Sequence, residues 1–425
     1  MQTAVVMIVV GLLVFLAHAF AGVFRRTKVP DVLWLFCIGV VLGPVLGIVT
    51  PRNFGSVGPV FTTVALVFIL FEGGTDLHIS TLRAAWRDTV ALTTLNFVAS
   101  TTITAVALDW FTDLGTLLSI ATGAMIGSTS TAVVASLTQR LAMRRTAGAV
   151  ALMESAVGDV FTLVLPIALL QAWRSSDVST GRVAAGLVVS LVVAVALGTA
   201  CAFAWSLLLR RVRTLQNGIC TTPAFVFFVY GLVEILGGSG PVAALAFGIV
   251  LGNAALLTPA RFGARIDPEH QALTGTERVF FSEGVFLLRT FFLVYAGLSI
   301  RLDDDVLLLL GAGITGLLFL VRVPVVALSL SRRTTVRDAS LIAVMIPKGL
   351  GAAVLATVPL QMGVTGGDTI QTVVFAVILT STLVTTALVF LVDRTPVGRV
   401  YGAVFARCGF AREADSAEET GPGTA

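Results

Sequence analysis

Charge is scarce in this sequence. Asp, Glu, Lys and Arg make up 12% of its 425 residues, about half the share typical of soluble domains. Lysine occurs only at positions 28 and 348. The four cysteines (Cys37, Cys201, Cys220, Cys408) show neither pairing nor metal-ligand spacing and read as small apolar fillers. The three histidines (His18, His78, His270) are far apart and form no cluster. These shortages argue against a soluble domain, a disulfide framework and a His/Cys metal centre; no cofactor and no nucleic-acid partner is expected. Ten-residue segments of alternating polarity, the mark of a membrane β-barrel, are also missing.

Hydrophobic length is abundant. The chain is 56% hydrophobic, with a mean hydropathy of +0.96. Apolar runs long enough to span a bilayer, about 20 residues each, recur from end to end. The class is therefore an all-α polytopic membrane protein. The opening run, "MQTAVVMIVVGLLVFLAHAFAGVFRR", has no basic residue before it and Arg25, Arg26 and Lys28 after it. That is the reverse of a signal peptide, and it reads as a first spanning helix with its N-terminus outside.

The pattern predicts thirteen transmembrane helices, near 4–23, 29–49, 58–75, 89–108, 114–137, 146–172, 183–209, 218–236, 240–257, 279–299, 305–331, 339–360 and 369–392. Lysines and arginines test the count. With the N-terminus outside, the inner side receives 21 of them and the outer side only Arg52, Arg174, Arg182 and Arg301. This is the bias of the positive-inside rule, and one helix more or fewer would scramble it. The expected location is the cell (inner) membrane, with a cytoplasmic C-terminus. A polar tail at 393–425 is expected to be disordered.

The remaining basic residues, Arg289, Arg322 and Lys348, fall inside spans, as do the acids Glu72, Glu154, Asp159, Glu234 and Glu283. Charges at that depth pair with one another or line a pathway. Glu72, Glu234, Glu283, Arg289 and Arg322 read first as structural ion pairs.

Two spans carry interruptions. The fifth reads "IATGAMIGSTSTAVVASL", with hydroxyls at Ser128, Thr129, Ser130 and Thr131; the twelfth reads "IAVMIPKGLGAAVLATVP", where Pro347 removes a backbone donor and Gly349 and Gly351 loosen the helix. Non-helical backbone at membrane depth persists only where it is buried in protein or lines a cavity. The two interruptions lie seven spans apart, so their helices run in opposite directions. That is the requirement of an inverted repeat, spans one to six against eight to thirteen, with the seventh as linker. Secondary transporters place ion sites where such broken helices meet.

The sixth span contains "ALMESAVGDVFTLVLP" (151–166). Its acids, Glu154 and Asp159, are about 7.5 Å apart along a helix and about 140° apart around it. They do not share a face, whereas Ser155 and Asp159, at i and i+4, do. Asp159 with Ser155 can thus face one site while Glu154 turns elsewhere, toward a basic partner. A carboxylate taken out of water resists ionisation, so a proton and a monovalent cation compete for it. Oxygens of Ser155, Thr129 and Ser130, together with freed carbonyls, would complete a shell for Na+ or K+ at Asp159.

With these residues in view, "LFEGGTDL" (70–77), "MESAVGDV" (153–160), "FFLVYAGLSI" (291–300) and "IPKGLGAAVLA" (346–356) resemble the monovalent cation:proton antiporter superfamily, near the NhaP-type sodium/proton antiporters. The resemblance spans about residues 5 to 392. It implies a transmembrane antiporter domain over 1–392 with two crossed discontinuous helices, working as a homodimer by an elevator-type motion. The dimer part would be about 1–75 and 218–300, the core about 89–172 and 305–392, and the linker helix about 183–209. It places the essential aspartate at Asp159, the motif's opening glutamate and serine at Glu154 and Ser155, the threonine of the unwound helix at Thr129, and the basic residue of the second broken helix at Lys348. Thr131 and Gly158 support the site. NhaP-type members usually carry asparagine before the essential aspartate, and the electrogenic branch a second aspartate; here that position is Gly158. The fifth span usually reads Thr-Asp-Pro in the family; here it is Thr129, Ser130 and Thr131. With one titrating carboxylate, exchange is expected to be electroneutral, one cation for one proton.

Other classes fit less well. A proton- or sodium-coupled symporter on a similar fold would need a larger polar cavity. An intramembrane aspartyl protease needs Gly-x-Gly-Asp, but position 156 is Ala156, and no Tyr-Asp pair occurs; the chain is not expected to be an enzyme. A cation channel would need a filter sequence, and none is present.

Overall fold

The computed structural model describes residues 31–48, 57–76, 86–141, 143–174, 180–212, 218–254, 274–300, 304–332, 334–394, 397–407 and 410, with six further residues between 11 and 19. The first expected span, 4–23, falls largely outside these residues. Helices account for the architecture. They are α1 (Asp31–Val40, continued by a π-turn over Val41–Val45), α2 (Val57–Asp76), α3 (Trp86–Phe111), α4 (Thr116–Met125), α5 (Thr131–Arg140), α6 (Arg145–Arg174), α7 (Thr180–Val212) and α8 (Thr221–Ile235). After them come α9 (Gly240–Gly252), α10 (Gly275–Leu298), α11 (Asp305–Ser329), α12 (Val336–Val344), α13 (Leu350–Gln361), α14 (Gly367–Arg394) and α15 (Val397–Arg407). Among the described residues, six helices are long and apolar enough to cross a membrane: those within 86–111, 146–174, 189–209, 275–298, 305–329 and 367–392.

Local sequence sets several helix starts. Thr274 opens α10 with a reciprocal capping box: its hydroxyl accepts from the Glu277 N–H, and the Glu277 carboxylate accepts from the Thr274 N–H at 2.7 Å. Asp304 accepts from the Leu307 N–H at the start of α11, and Thr335 accepts from the Asp338 N–H at the start of α12. Such caps are each worth about 1 kcal/mol. Between α3 and α4, Gly115 adopts φ +76°, a left-handed turn that favours glycine.

Two neighbourhoods organise the bundle. In the first, α9 packs on α2, α7 and α8, while α10 packs on α1 and α2. Glycines seal these contacts. A side-chain carbon at Gly248 or Gly252 would run into the carbonyl oxygens of Phe71 and Thr75 on α2, and one at Gly74 would come within 2.6 Å of the Leu245 oxygen. Small residues let helix backbones approach this closely in lipid. In the second, α3 and α6 pack on α4, α11 packs on α3 and α14, and α13 packs on α14. The seam between the two neighbourhoods is apolar, with Phe36, Leu66, Leu70 and Phe292 buried in one cluster with residues of α13 and α14.

The stretch after 392 differs from the expected disordered tail. α14 continues to Arg394, and Val397–Arg407 form α15, which packs on α12 and α14. Phe405 is fully buried, and the Arg332 guanidinium lies 5.0 Å over the Phe410 ring. Apolar residues on one face of a short helix give it enough to bury once α12 supplies the partner surface, a condition that composition alone does not reveal. Residues 411–425 lie outside the described part.

Candidate ion site

Both expected interruptions are present. α4 ends at Met125 and α5 begins at Thr131; α12 ends at Val344 and α13 begins at Leu350. The intervening backbone must find partners outside its own helix, and it finds them largely in the opposite break. The Ser130 N–H donates to the Pro347 oxygen at 2.7 Å, and the Lys348 ammonium donates to the Ser128 oxygen at 3.0 Å. Neighbouring side chains satisfy more of it. The Ser128 N–H donates to Thr162 Oγ1 on α6 at 3.0 Å, the Lys348 N–H donates to Ser381 Oγ on α14 at 3.2 Å, and Asn96 Nδ2 on α3 donates to the Gly127 oxygen at 3.3 Å.

Asp159, on α6, faces this junction. Its Oδ1 accepts from the Ser128 hydroxyl at 2.8 Å and its Oδ2 from the Thr131 hydroxyl at 2.6 Å. The Thr131 backbone N–H also bonds the carboxylate. Thr131 is the first residue of α5, so the anion sits at a helix N-terminus, where free N–H groups and the helix dipole favour negative charge. The side chain remains partly accessible. Thr129, between these two contacts, is 1% exposed and its hydroxyl has no protein partner among the described residues. The arrangement offers a carboxylate, an unpaired hydroxyl and backbone oxygens, the hard donor set suited to a monovalent cation. None of its members suits a soft metal.

Glu154 has a different environment. It was expected among the ion-binding residues, with a basic partner as the other possibility, and the structure shows the partner. Arg322, on α11, forks onto it with both guanidinium nitrogens at 2.7 Å, and the two side chains are 3% and 1% exposed. Both carboxylate oxygens are thereby occupied in a fork-to-fork pair. Arg322 also reaches the Ile342 oxygen at the end of α12, at 3.4 Å. The pair therefore ties α6, α11 and α12 together. Lys348, fully buried, has Arg322, Glu154 and Asp159 as its charged neighbours, so two acids and two bases share this part of the core.

The other expected residues fall as follows. Ser155 is fully buried, but its hydroxyl donates to the Leu152 oxygen of its own helix at 2.9 Å rather than joining Asp159. Ser130 contributes its backbone to the Pro347 bond and lies against Gly349, where a side-chain carbon would come 3.1 Å from the serine Cβ. Gly158 has a steric role beside its lack of charge: a carbon there would lie 2.9 Å from Ser128 Cβ, so glycine is what lets the break settle on α6. Glu234 is exposed and accepts from the Gly240 N–H at 2.8 Å, closing the turn between α8 and α9. Glu283 is exposed on α10, Glu72 is half-buried near the end of α2, and the Arg289 side chain lies outside the described residues. Of the five residues read as ion pairs, the structure gives Arg322 its acid, Glu154, and gives Glu234 a turn instead. Ser128, Thr162, Ser381 and Asn96 were not singled out from the sequence. The hydroxyl run contained Ser128, but nothing local distinguishes the serine that bridges Lys348 and Asp159 from its neighbours.

A family model described as "Sodium/hydrogen exchanger, transmembrane" matches residues 11–394. Among curated proteins, the K(+)/H(+) antiporter NhaP2 of Shewanella sp. (strain MR-4) is 25% identical over 386 residues, covering 88% of this chain and 64% of that protein. The K(+)/H(+) antiporter NhaP of Alkalimonas amylolytica is 30% identical over 260 residues, 59% of this chain and 44% of that protein. The chain thus spans less than two thirds of the length of these relatives. Among solved structures, the sodium proton antiporter MjNhaP1 from Methanocaldococcus jannaschii at pH 8 superposes with a TM-score of 0.74 at 20% identity, covering 91% of this chain and 100% of that one, a likeness of fold.

Proposed function

The chain belongs to the sodium/hydrogen exchanger family, a family of multi-pass membrane transporters rather than enzymes, and from that premise we propose that it exchanges a monovalent cation, Na+ or K+, for a proton at Asp159. The observation that carries this reading is the placement of Asp159: a partly accessible carboxylate held by two hydroxyls at a helix N-terminus, beside the unpartnered hydroxyl of Thr129. Cation and proton compete for the same two oxygens. When a cation arrives, the Ser128 and Thr131 hydroxyls turn from donors to the carboxylate into oxygen ligands beside it, as each has free lone pairs to offer.

One carboxylate carrying either one proton or one cation gives electroneutral 1:1 exchange. No net charge then crosses the membrane, whereas each net charge would be worth about 2.3 kcal/mol per 100 mV. Arg322 occupies both oxygens of Glu154, which leaves Asp159 as the carboxylate open to exchange. The packing supports an elevator-type cycle. The site-bearing helices α3–α6 and α11–α14 form the transporting core; α1, α2 and α8–α10 form a stationary dimer part, and α7 is the linker. The apolar cluster that joins Phe36, Leu66, Leu70 and Phe292 to α13 and α14 is the surface along which the two parts would slide. The inner membrane, with the arginine-rich loops and the C-terminus in the cytoplasm, is the proposed location, and pH homeostasis the proposed role.

Proteoliposomes with a trapped pH dye test the reading. Addition of Na+ or K+ is expected to dissipate an imposed proton gradient in the wild type and to fail in Asp159→Asn, at a rate independent of membrane potential at saturating cation. If neither cation moves protons, the exchange reading falls and a coupled symporter comes forward.

A further inference from the structure

Ser128 is engaged through each of its polar groups. Its N–H donates to Thr162 Oγ1 at 3.0 Å, its hydroxyl donates to Asp159 Oδ1 at 2.8 Å, and its carbonyl oxygen accepts from the Lys348 ammonium at 3.0 Å. Two of these partners, Thr162 and Asp159, lie on α6. A third residue of α6 shapes the contact without bonding to it. Gly158 precedes Asp159, and a carbon placed on it would lie 2.9 Å from Ser128 Cβ and 3.6 Å from Ser128 Cα. Gly158 and Thr162, at i and i+4, share a face of the helix. Together they form a seat for Ser128, with Asp159 beside it.

Glycine is unfavourable in the middle of a helix, so its presence there calls for a reason. α6 contains Gly148 and Gly158. At Gly148 an added carbon would meet nothing nearer than Thr138 Cβ at 3.9 Å, an ordinary contact. At Gly158 the contact is too close, and Ser128 cannot escape it by turning its side chain. The atom met is Cβ, which stays in place when χ1 rotates. The backbone just before Ser128 is also held, by α3: Asn96 Nδ2 donates to the Gly127 oxygen, and a carbon on Gly127 would lie 2.5 Å from the Phe97 ring. Whatever occupies position 158 therefore sets where Ser128 stands, and with it the reach from its hydroxyl to Asp159.

That reach matters for the choice of ion. A cation bound at the carboxylate draws the surrounding oxygens to its own contact distance, and Na+ and K+ differ in that distance by a few tenths of an ångström. Cavity size, ligand number and rigidity decide between cations of equal charge. Relief of the 2.9 Å contact to an ordinary 3.4 Å or more needs a shift of the same order as the difference between the ions.

We propose that Gly158 is a specificity-determining residue, which sets the size of cation the site takes through the seat it gives Ser128. The proposal rests on the exchange reading above. Gly158 touches no ion and acts by positioning Ser128. A methyl group at 158 moves Ser128 away from α6, opens the space between its hydroxyl and Asp159, and favours the larger ion. Loss of the Thr162 hydroxyl frees the Ser128 N–H and loosens the same seat without adding bulk.

The test uses the full chain in proteoliposomes with a trapped pH dye. The half-saturating concentrations of Na+ and Rb+ are compared in the wild type, Gly158→Ala, Thr162→Val and Thr162→Ser. Their ratio is the readout, because a merely structural lesion lowers the number of working transporters or weakens both ions alike. In Gly158→Ala the ratio is expected to move toward Rb+ by about fivefold, the effect of one weakened hydrogen bond. Thr162→Val should move it in the same direction, and Thr162→Ser, which keeps the hydroxyl, should stay near wild type. An unchanged ratio in Gly158→Ala, a parallel rise of both concentrations, or a move toward Na+ overturns the proposal. Should Gly158→Ala fail to fold, Thr162→Val is read in its place by the same criteria. Wild-type protein that moves no protons with either cation would sink the exchange reading and the size seat with it, whereas working exchange with an unchanged ratio sinks the seat alone.

Discussion

Where α9 crosses α2, backbone meets backbone: Gly74, Gly248 and Gly252 leave no room for a side chain, and Val67, Phe71, Phe247 and Leu251 pack around them in one apolar cluster. Where α6 passes the two breaks, contact is made by hydroxyls, carbonyls and charges: Ser128 and Thr131 on Asp159, Arg322 on Glu154, Lys348 on the Ser128 oxygen. The first region has one arrangement, because dispersion between close-packed backbones falls off steeply with any displacement. The second has alternatives, because each hydroxyl can donate or accept, and Asp159 can hold a proton or a cation. The lesson is that a transporter built in lipid separates rigidity from exchangeability by composition: glycine against backbone for the one, hydroxyl against carboxylate for the other. Within the second region the same contrast recurs five residues apart on α6, between locked Glu154 and accessible Asp159.

The strongest way to break the comparison is to unlock the locked acid. Arg322→Met leaves Glu154 buried without a partner and should cost about 3–5 kcal/mol of stability, read as a fall in melting temperature in detergent. The double variant Arg322→Met/Glu154→Gln should recover most of that loss, since the penalty belongs to the uncompensated charge. Recovery of exchange along with stability would show that the pair serves the fold alone. Next in size, Asp159→Asn should reduce exchange at least about 100-fold, about 2.7 kcal/mol, with the melting temperature near wild type. A large drop in stability would place Asp159 with Glu154 on the locked side. On the apolar side, Gly248→Ala should destabilise by about 1–3 kcal/mol through overpacking against α2 and leave the apparent cation affinity of the surviving protein unchanged. The smallest effect is expected for Ser128→Ala, which removes one hydrogen bond, about 0.5–1.5 kcal/mol. It should shift the apparent cation affinity severalfold while leaving the maximal rate within a factor of a few, as measured in the pH-dye assay.

Much of this was legible in the sequence because membrane insertion makes the signals long. Apolar runs place the helices, and the breaks announce themselves by residues that no continuous helix wants: four consecutive hydroxyls in one, Pro347 with Lys348 and Gly349 in the other. Asp159 stood out for the same reason, as an acid where burial is expensive. Partners were less legible. Glu154 and Arg322 are separated by 168 residues, and no local periodicity joins them. Ser155 shares a face with Asp159 by helical geometry, yet its hydroxyl has a nearer acceptor in Leu152, a competition that spacing does not decide. The hydroxyls of α3 look ordinary in the sequence; that Thr89, Thr93, Thr101 and Thr104 lack a hydrogen-bond partner shows only in the structure. α15 was missed because its apolar face needs α12 to cover it, and a composition reading sees only the polar residues around it.

The bond between the two breaks also bears on how the chain is made. Ser128 and Lys348 are 220 residues apart, and the N–H of Ser130 donates to the oxygen of Pro347, nearly as distant in the chain. As the chain leaves the ribosome and enters the bilayer, the first break arrives with its backbone groups unsatisfied in a medium that offers no substitute for them. It must be held by water, lipid headgroups or insertion machinery until nearly the whole polypeptide has followed. The last half-helix to be synthesised is thus the template on which the first is completed, and a chain cut short before Pro347 should leave the membrane with an open helix pair and be marked for degradation.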